Sequence, residues 1–261
     1  MKAVLFFVVT ALPLFALYNG NPAEPSMPET GLWISNDDWW GVKVGYLWDQ
    51  TFEKRIKVRE RISSVRERFD TYFSTKNEGI LTFNVSDRFE IYGRLGAMKL
   101  KLSQRPTDFV KLDYQTDSQF LWGVGGRVIL VYWNEMVMGV NALYTDSHMK
   151  ISKLMENGNP RKTSGACFNY SEWQVGISLS REIGMLNPYI GLAYSSLNAC
   201  MNHLPEDSRF STRIADENLE AREPFVILLG LGLTKQRNVS LNLESRLLGE
   251  RGISLSGQLR F

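Results

Sequence analysis

The ten C-terminal residues, Gly-Ile-Ser-Leu-Ser-Gly-Gln-Leu-Arg-Phe at positions 252–261, alternate strictly between two kinds of side chain. Ile253, Leu255, Leu259 and Phe261 fall on one face, while serine, glutamine and arginine fall on the other. A strand that spans a lipid bilayer presents apolar side chains to the acyl chains, and its other face can meet water. The stretch is therefore typical of the last strand of an outer-membrane β-barrel, although a strand of a soluble sandwich alternates in the same way.

The N-terminus favours the membrane alternative, because it is typical of an exported protein. Lys2 precedes an apolar run, Ala3 to Leu17, which is shorter than the roughly 20 residues of a transmembrane helix and suits a secretory signal. The small side chain of Ala16 fits a cleavage site. The proline-containing stretch that follows carries no sustained period. We therefore predict a signal peptide at 1–16, an extended leader at 17–38 and a transmembrane barrel at 39–261.

Composition excludes several other classes of protein. The net charge of +2 gives no reason to expect a nucleic-acid partner. With two histidines, two cysteines and no Cys/His cluster, the chain predicts no metal site and no cofactor. No later stretch approaches the length of an apolar transmembrane helix. Cys167 and Cys200 are the candidates for a disulfide in an oxidising compartment, and links from each to another molecule are the alternative.

Pairs of alternating runs joined by short turns recur along the chain. The clearest are Leu81–Val85 with Phe89–Leu95, Phe120–Leu130 with Met136–Val140, Trp173–Leu179 with Ile190–Tyr194, and Phe225–Leu231 with Val239–Leu243. A first hairpin over 42–58 and a run at 66–74 precede them. With the C-terminal run, these segments predict an all-β, antiparallel transmembrane barrel of about twelve strands, and ten or fourteen are also compatible with the pattern.

Long polar segments at 101–118, 146–169 and 197–222 separate the hairpins, whereas the turns within each hairpin are short. In outer-membrane barrels the short turns face the periplasm and the long loops face outward. Aromatic residues favour the two bilayer interfaces. Those near the predicted periplasmic rim are Phe89, Tyr132, Trp133 and Phe261, and those near the outer ends are Tyr144, Trp173, Tyr194 and Phe225.

Two blocks of sequence resemble the major outer membrane porin family of chlamydiae. Gly20 to Pro25, Gly-Asn-Pro-Ala-Glu-Pro, is similar to the mature start of those porins, and Val42 to Val58 is similar to their first strands. The resemblance implies an outer-membrane barrel that passes small solutes and supports cleavage after Ala16. The chain is shorter than those porins and poorer in cysteine, so a role in a disulfide-linked envelope network is doubtful.

The alternation also predicts which charged side chains face the lumen. If Phe52, Ile56 and Val58 face lipid, a basic row faces inward and favours anions in a water-filled pore. The alternative is that these charges pair with carboxylates and brace a small barrel. Inward glycines such as Gly176 and Gly232 predict free space along one wall. The pore-lining candidates are Arg55, Lys57, Arg59, Arg61, Arg94, Arg127, Arg246, Glu53, Glu90 and Glu244.

The sequence thus predicts a non-enzymatic porin for small solutes and ions. We expect it to contact outer-membrane lipid and to have no nucleic-acid partner. A surface adhesin or structural envelope barrel, acting on a host or envelope partner through the outer loops, is the main alternative. A homo-oligomer is compatible with either function. An outer-membrane hydrolase is the third alternative, because Asp146, Ser147 and His148 are adjacent and His203 lies near further acidic residues.

Overall fold

The fold is an antiparallel β-barrel that contains no α-helix in the part of the chain the structure describes. The structure is a computed structural model, and it describes residues 18–26, 39–58, 68–107, 109–163, 165–202, 217–235 and 239–261. A short 3-10 helix lies at Glu24–Ser26. The strands are β1 Trp40–Lys54, β2 Ile56–Val58, β3 Arg68–Val85, β4 Phe89–Thr107, β5 Val110–Thr116, β6 Gln119–Trp133, β7 Met136–Glu156, β8 Asn159–Arg161, β9 Cys167–Arg181, β10 Leu186–Asn202, β11 Glu217–Ala221, β12 Phe225–Lys235, β13 Val239–Leu247 and β14 Glu250–Arg260.

Ten of these strands form a closed ring, which we call the ten-strand ring. Its order is β1, β3, β4, β6, β7, β9, β10, β12, β13 and β14, and every neighbouring pair is antiparallel. The ring closes where β14 pairs with β1, from Lys43 opposite Arg260 to Lys54 opposite Glu250. Closure gives every strand two hydrogen-bonded neighbours, as a lipid environment requires.

The prediction of an all-β transmembrane barrel is confirmed, and its ring has ten strands, one of the two alternatives to about twelve that the pattern allows. The predicted first hairpin is wrong, because Val42 to Phe52 lie in one strand, β1, and Ile56–Val58 forms β2, which pairs with β11. The described residues of the runs at 66–74 and 81–85 all belong to β3. The polar residues Asp49, Lys76 and Glu78 interrupt the apolar alternation within these strands. All three side chains are buried inside the barrel.

The four later hairpins are confirmed, but much of each long polar segment is strand rather than loop. β4 continues to Thr107, β7 to Glu156 and β10 to Asn202. The short hairpin turns lie at one end of the barrel and the extended strand ends lie at the other. We call the first, near Val85, the short-turn end and the second the loop end. The extended strands pass beyond the lipid-facing band, where outward side chains become polar, and the apolar alternation that marks a strand is therefore lost.

A second, narrower ring continues the barrel at the loop end. There β5 replaces β6 between β4 and β7, and β11 pairs with β10 and with β2, which lies against β3. This loop-end ring therefore consists of β2, β3, β4, β5, β7, β9, β10 and β11. Eight strands enclose a space that side chains just fill. The apolar side chains that fill it include Tyr72, Met98, Leu100, Leu102, Leu121, Met149, Ile151, Phe168, Tyr170, Leu197 and Met201.

The outer surface of the ten-strand ring is apolar and edged by aromatic residues. Trp122 and Tyr144 lie 5.7 Å apart between ring centroids, Trp173 and Tyr194 5.4 Å, and Tyr194 and Phe225 5.5 Å. These rings lie on adjacent strands at the loop-end edge of the apolar band. They form an interfacial girdle of the kind expected where aliphatic surface meets head groups.

Among the described residues, no helix has the length and apolar character needed to cross a membrane.

Replacing Leu255 by arginine should destabilise the barrel by about 2–4 kcal/mol, because this outward side chain lies midway along β14 and a charge there meets lipid. The matched variant Leu259→Arg, on the same face at the short-turn rim, should cost only about 0–1 kcal/mol. Urea unfolding in lipid vesicles measures both. Equal costs for the two positions would contradict the assigned lipid-facing band.

Candidate functional site

The inside of the ten-strand ring is rich in charged side chains of both signs. Among the described residues, seven acidic and seven basic side chains are buried. The predicted lumenal residues Arg94, Arg127, Arg246, Glu90 and Glu244 are all in this set. The others are Glu24, Asp49, Glu78, Glu172, Glu250, Lys43, Lys54, Lys76 and Arg260. The formal charges of this described set cancel.

The two described residues of the predicted basic row, Arg55 and Lys57, do not face the lumen. The register shifts between Thr51 and Glu53, and this bulge reverses which side chains face outward. Lys54 is buried, whereas the side chains of Arg55 and Lys57 are 50% and 51% exposed and pair with Glu223 and Glu220 on the outer surface.

Glu53 is also turned outward, where it lies 3.0 Å from Arg251. Arg59 and Arg61 lie outside the described residues. The basis for predicting an anion preference from this row is therefore lost, because both of its described residues, Arg55 and Lys57, point away from the lumen.

Residues 18–26 lie inside the ten-strand ring, and we call this segment the plug. Tyr18 through Pro25 are all buried. The Glu24 carboxylate accepts hydrogen bonds from Arg127 and Asn242, and from Gln258 at 3.3 Å. Three wall strands, β6, β13 and β14, therefore hold one plug side chain. The sequence pattern marked this segment only as an extended leader.

The wall also binds the backbone of the plug. The Nζ of Lys43 donates to the carbonyl of Glu24 at 2.6 Å, and the side-chain amide of Asn84 donates to that of Pro25 at 2.8 Å. At the other end, Glu244 accepts the backbone N–H groups of Asn19 and Gly20, each at 2.9 Å.

The Asn19 carbonyl is bound by two further wall groups. Arg127 donates to it at 3.1 Å and Asn141 at 2.9 Å. Charged and amide side chains thus satisfy backbone groups that would otherwise be buried without a hydrogen bond, an arrangement whose loss costs free energy.

Wall glycines accommodate the plug. A Cβ on Gly176 would lie 2.8 Å from the Asn19 amide oxygen, and one on Gly139 would lie 3.2 Å from the Cβ of Pro22. A Cβ on Gly232 would overlap the side-chain amide of Asn21. The free space predicted from the inward glycines is therefore occupied by the chain's own N-terminal segment.

A second group of charges lies between the plug and the loop-end ring. Asp49 accepts hydrogen bonds from Arg246 and, at 3.1 Å, from Ser254. Lys54 lies between the carboxylates of Glu172 and Glu250, 2.6 Å from the latter. Because each charge has an oppositely charged neighbour, the ionised side chains are compensated within the low-dielectric interior.

The apolar filling of the loop-end ring closes the far side of the lumen. A cavity of about 10 Å³ lies among Leu100, Tyr114, Ile151, Phe168 and Met201. A volume of that size holds at most one water molecule. In the described conformation the lumen is therefore occupied by the plug at one level and by apolar side chains at another.

The two cysteines are not joined by a disulfide in this structure. Cys200 pairs in register with Asn169, and Cys167 with Asn202, so the cysteines are diagonal neighbours on adjacent strands. Diagonal side chains in a sheet are farther apart than a disulfide allows. The proposed disulfide between Cys167 and Cys200 stays a prediction that would require the backbone to move.

The residues considered for hydrolysis do not converge on one centre. The hydroxyl of Ser147 donates to the carbonyl of Phe120 at 2.7 Å, whereas the exposed ring of His148 is hydrogen-bonded to Asn169. The Ser147 side chain is buried, and the His148 side chain lies on the opposite face of β7. A nucleophile and its base must lie within hydrogen-bond reach. His203 lies outside the described residues.

Replacing Arg127 by methionine should destabilise the folded barrel by about 3–5 kcal/mol, because two buried carboxylates lose a cation at once. Those carboxylates are Glu24 and Glu90. The control Arg181→Met removes an ion pair to Glu135 whose side chains are 61% and 63% exposed, and it should leave stability almost unchanged. Urea unfolding in vesicles compares them, and a wild-type midpoint for Arg127→Met would rule out the plug contacts as a stabilising site.

No protein-family profile matches the chain. The structure search finds outer-membrane barrels at low similarity. The translocator domain of the autotransporter NalP from Neisseria meningitidis gives a TM-score of 0.43 at 9% identity, covering 85% of this chain and 88% of that one. OprG from Pseudomonas aeruginosa gives a TM-score of 0.37 at 7% identity, covering 85% of this chain and 96% of that one. At these scores the likenesses establish nothing about function.

Sequence relatives extend over the whole chain. The major outer membrane porin of Chlamydophila psittaci is 24% identical over 400 aligned residues, which cover 100% of this chain and 99% of the relative. That of Chlamydia pneumoniae is 22% identical over 370 residues, covering 95% of each chain. The alignments are longer than this chain, so the relatives carry insertions. The chain is a distant relative of the chlamydial major outer membrane porins.

Proposed function

We propose that the protein is an outer-membrane channel of the porin type that passes small hydrophilic solutes and ions. The observation that carries the proposal is the charged interior of the ten-strand ring. Ionisable residues at membrane depth are costly and usually mark a pathway or a binding site. The same chain fills its loop-end ring with apolar side chains. Apolar packing could therefore have filled the ten-strand ring as well, and the charged interior needs another explanation.

The relatives support the same function, because they are named major outer membrane porins and align over the full chain. The protein then lies in the outer membrane, with its short turns in the periplasm and its loop end outside. Its aromatic girdle from Trp122 to Phe225 lies at the outer interface.

The described conformation is closed, so conduction requires two changes. The plug must leave part of the ten-strand ring, and water must enter the apolar loop-end ring, a type of barrier that gates by dewetting. The balance of seven acidic and seven basic buried side chains among the described residues favours weak ion selectivity. We therefore expect little preference between small anions and cations.

A second candidate function is a surface or structural role, and the loop-end ring is the observation that favours it. The apolar core of this ring makes a rigid extension beyond the girdle, and binding commonly occurs in loops held on a rigid scaffold. If the folded barrel shows no conductance in planar bilayers, we would favour this role over the channel. Ser147 and His148 give no support for a hydrolase, because they lie on opposite faces of β7.

The exported protein should begin at Leu17. Tyr18 is 1% exposed inside the barrel, and a retained apolar segment of the signal-peptide type would have to share that crowded lumen. Intact-mass measurement of protein purified from outer membranes tests this, with the uncleaved precursor expressed without a secretion machinery as the reference mass. A mature mass that includes residues 1–16 would contradict the predicted cleavage.

In planar bilayers, the refolded mature protein should give discrete, infrequent conductance steps. Under a salt gradient the reversal potential should stay close to zero, because the buried charges of the described residues cancel. A mock-refolded sample of the same detergent and lipid controls for leaks. Silence from demonstrably folded protein would reject the channel, and a strongly anion- or cation-selective potential would reject the balanced lumen.

A further inference from the structure

The contacts between the plug and the wall are of the kind that hold a bound peptide. Wall side chains bind the Glu24 carboxylate, and they also bind backbone carbonyls and N–H groups along the plug. Backbone recognition combined with one charged side chain is a common way to bind an extended or turned peptide. Within the described parts of the chain, the plug forms no ladder with a barrel strand, so it is held as a ligand rather than as part of the sheet.

The plug adopts its bound shape largely through its own local contacts. The side-chain oxygen of Asn21 accepts the N–H of Ala23 at 2.9 Å, and its carbonyl accepts the N–H of Glu24 at 3.1 Å. Asn followed by Pro favours this kind of turn. A segment that is already turned loses less conformational entropy when it binds.

The wall groups keep other partners when the plug leaves. Lys43 and Arg127 both pair with Glu90, and Glu244 accepts a hydrogen bond from Tyr189 at 3.0 Å. Vacating the site therefore does not leave these charges isolated, which is the most expensive outcome for a buried ion pair. The vacant site would present Arg127 to a carboxylate, Lys43 to a backbone carbonyl and Glu244 to N–H donors.

From these contacts we propose that the ten-strand ring contains a peptide-binding site, occupied in cis by residues 18–26, for which short carboxylate-bearing peptides compete in trans. The proposal concerns binding inside the barrel and is independent of whether the barrel conducts. The carboxylate at the position of Glu24 and the backbone N–H groups at the position of Asn19 and Gly20 define the ligand class.

Gly20 offers a way to displace the plug without changing the wall. Its φ is +80°, a conformation that other residues rarely adopt, and an added Cβ would overlap the guanidinium of Arg127. Gly20→Ala should therefore weaken the plug in cis. Gly158 has a similar φ of +84° in the turn between β7 and β8, with open space around its Cβ position. Gly158→Ala is the matched control for backbone strain.

The test measures binding of a fluorescent peptide, Tyr-Asn-Gly-Asn-Pro-Ala-Glu-Pro-Ser, to the refolded mature chain by anisotropy. A site blocked in cis loses apparent affinity in proportion to the fraction blocked. Gly20→Ala should bind at least about tenfold more tightly than the wild type or Gly158→Ala. Adding Arg127→Gln to Gly20→Ala, or replacing glutamate by glutamine in the peptide, should abolish the gain.

A second measurement keeps the native Gly20, in case Gly20→Ala folds poorly. In a chain with Cys167→Ser, Cys200→Ser and Ala23→Cys, excess free peptide should accelerate maleimide labelling of the buried thiol, since Ala23 is 0% exposed, and the glutamine peptide should not. No acceleration, or equal acceleration by both peptides, would overturn the proposal. So would equal binding of the fluorescent peptide by folded wild type and folded Gly20→Ala.

Discussion

The rest of this structure depends on the pairing of β14 with β1. In lipid, an unpaired backbone N–H or C=O group has no water to bind, and a sheet that spans a bilayer must therefore close on itself. Closure here fixes the register from Lys43 opposite Arg260 onward. Once the register is fixed, alternation decides which side chains meet lipid and which meet the lumen.

Closure with ten strands also creates a volume that the protein must fill. Eight strands leave a space that side chains fill, as in the loop-end ring, and two further strands widen the ring. The inward glycines Gly139, Gly176 and Gly232 widen it further at the level of the plug. The chain fills that widened level with its own residues 18–26, whose polar backbone then obtains partners from wall side chains. Ring size and plug are therefore parts of one packing solution.

Much of the barrel could be predicted from the sequence, because lipid-facing residues carry a strong alternating signal. The face of β14 that bears Leu255 and Leu259 and the short turns of four hairpins are confirmed. The ring has ten strands rather than the twelve that the pattern favoured, because polar lumenal residues such as Asp49 and Glu78 interrupt the alternation within β1 and β3. The prediction that Arg55 faces inward was wrong, because a single bulge reverses the alternation. A bulge cannot be recognised from the composition of the strand.

The position of the plug could not be predicted from periodicity, because a segment without secondary structure has none. Its clearest signal was the cluster of Asn, Gly and Pro at 19–25, which indicates a turn but not what the turn contacts. Its binding groups come from strands up to 238 positions away along the chain. Only the closed ring brings Arg127, Asn141 and Glu244 to one level, so the tertiary structure was needed to identify them as one site.

The two fillings of this barrel differ in what they allow. An apolar core is the more stable way to fill a barrel, since buried ion pairs give little net stabilisation over packed hydrophobic side chains. The charged filling of the ten-strand ring is therefore stable only with its polar groups matched, and Arg127 depends on Glu24 of the plug as well as on Glu90. A movement of the plug changes the partners of several wall charges at once. The rotation of a single side chain would therefore not open the ten-strand ring. A solute can pass only after the bound plug has been displaced or has left.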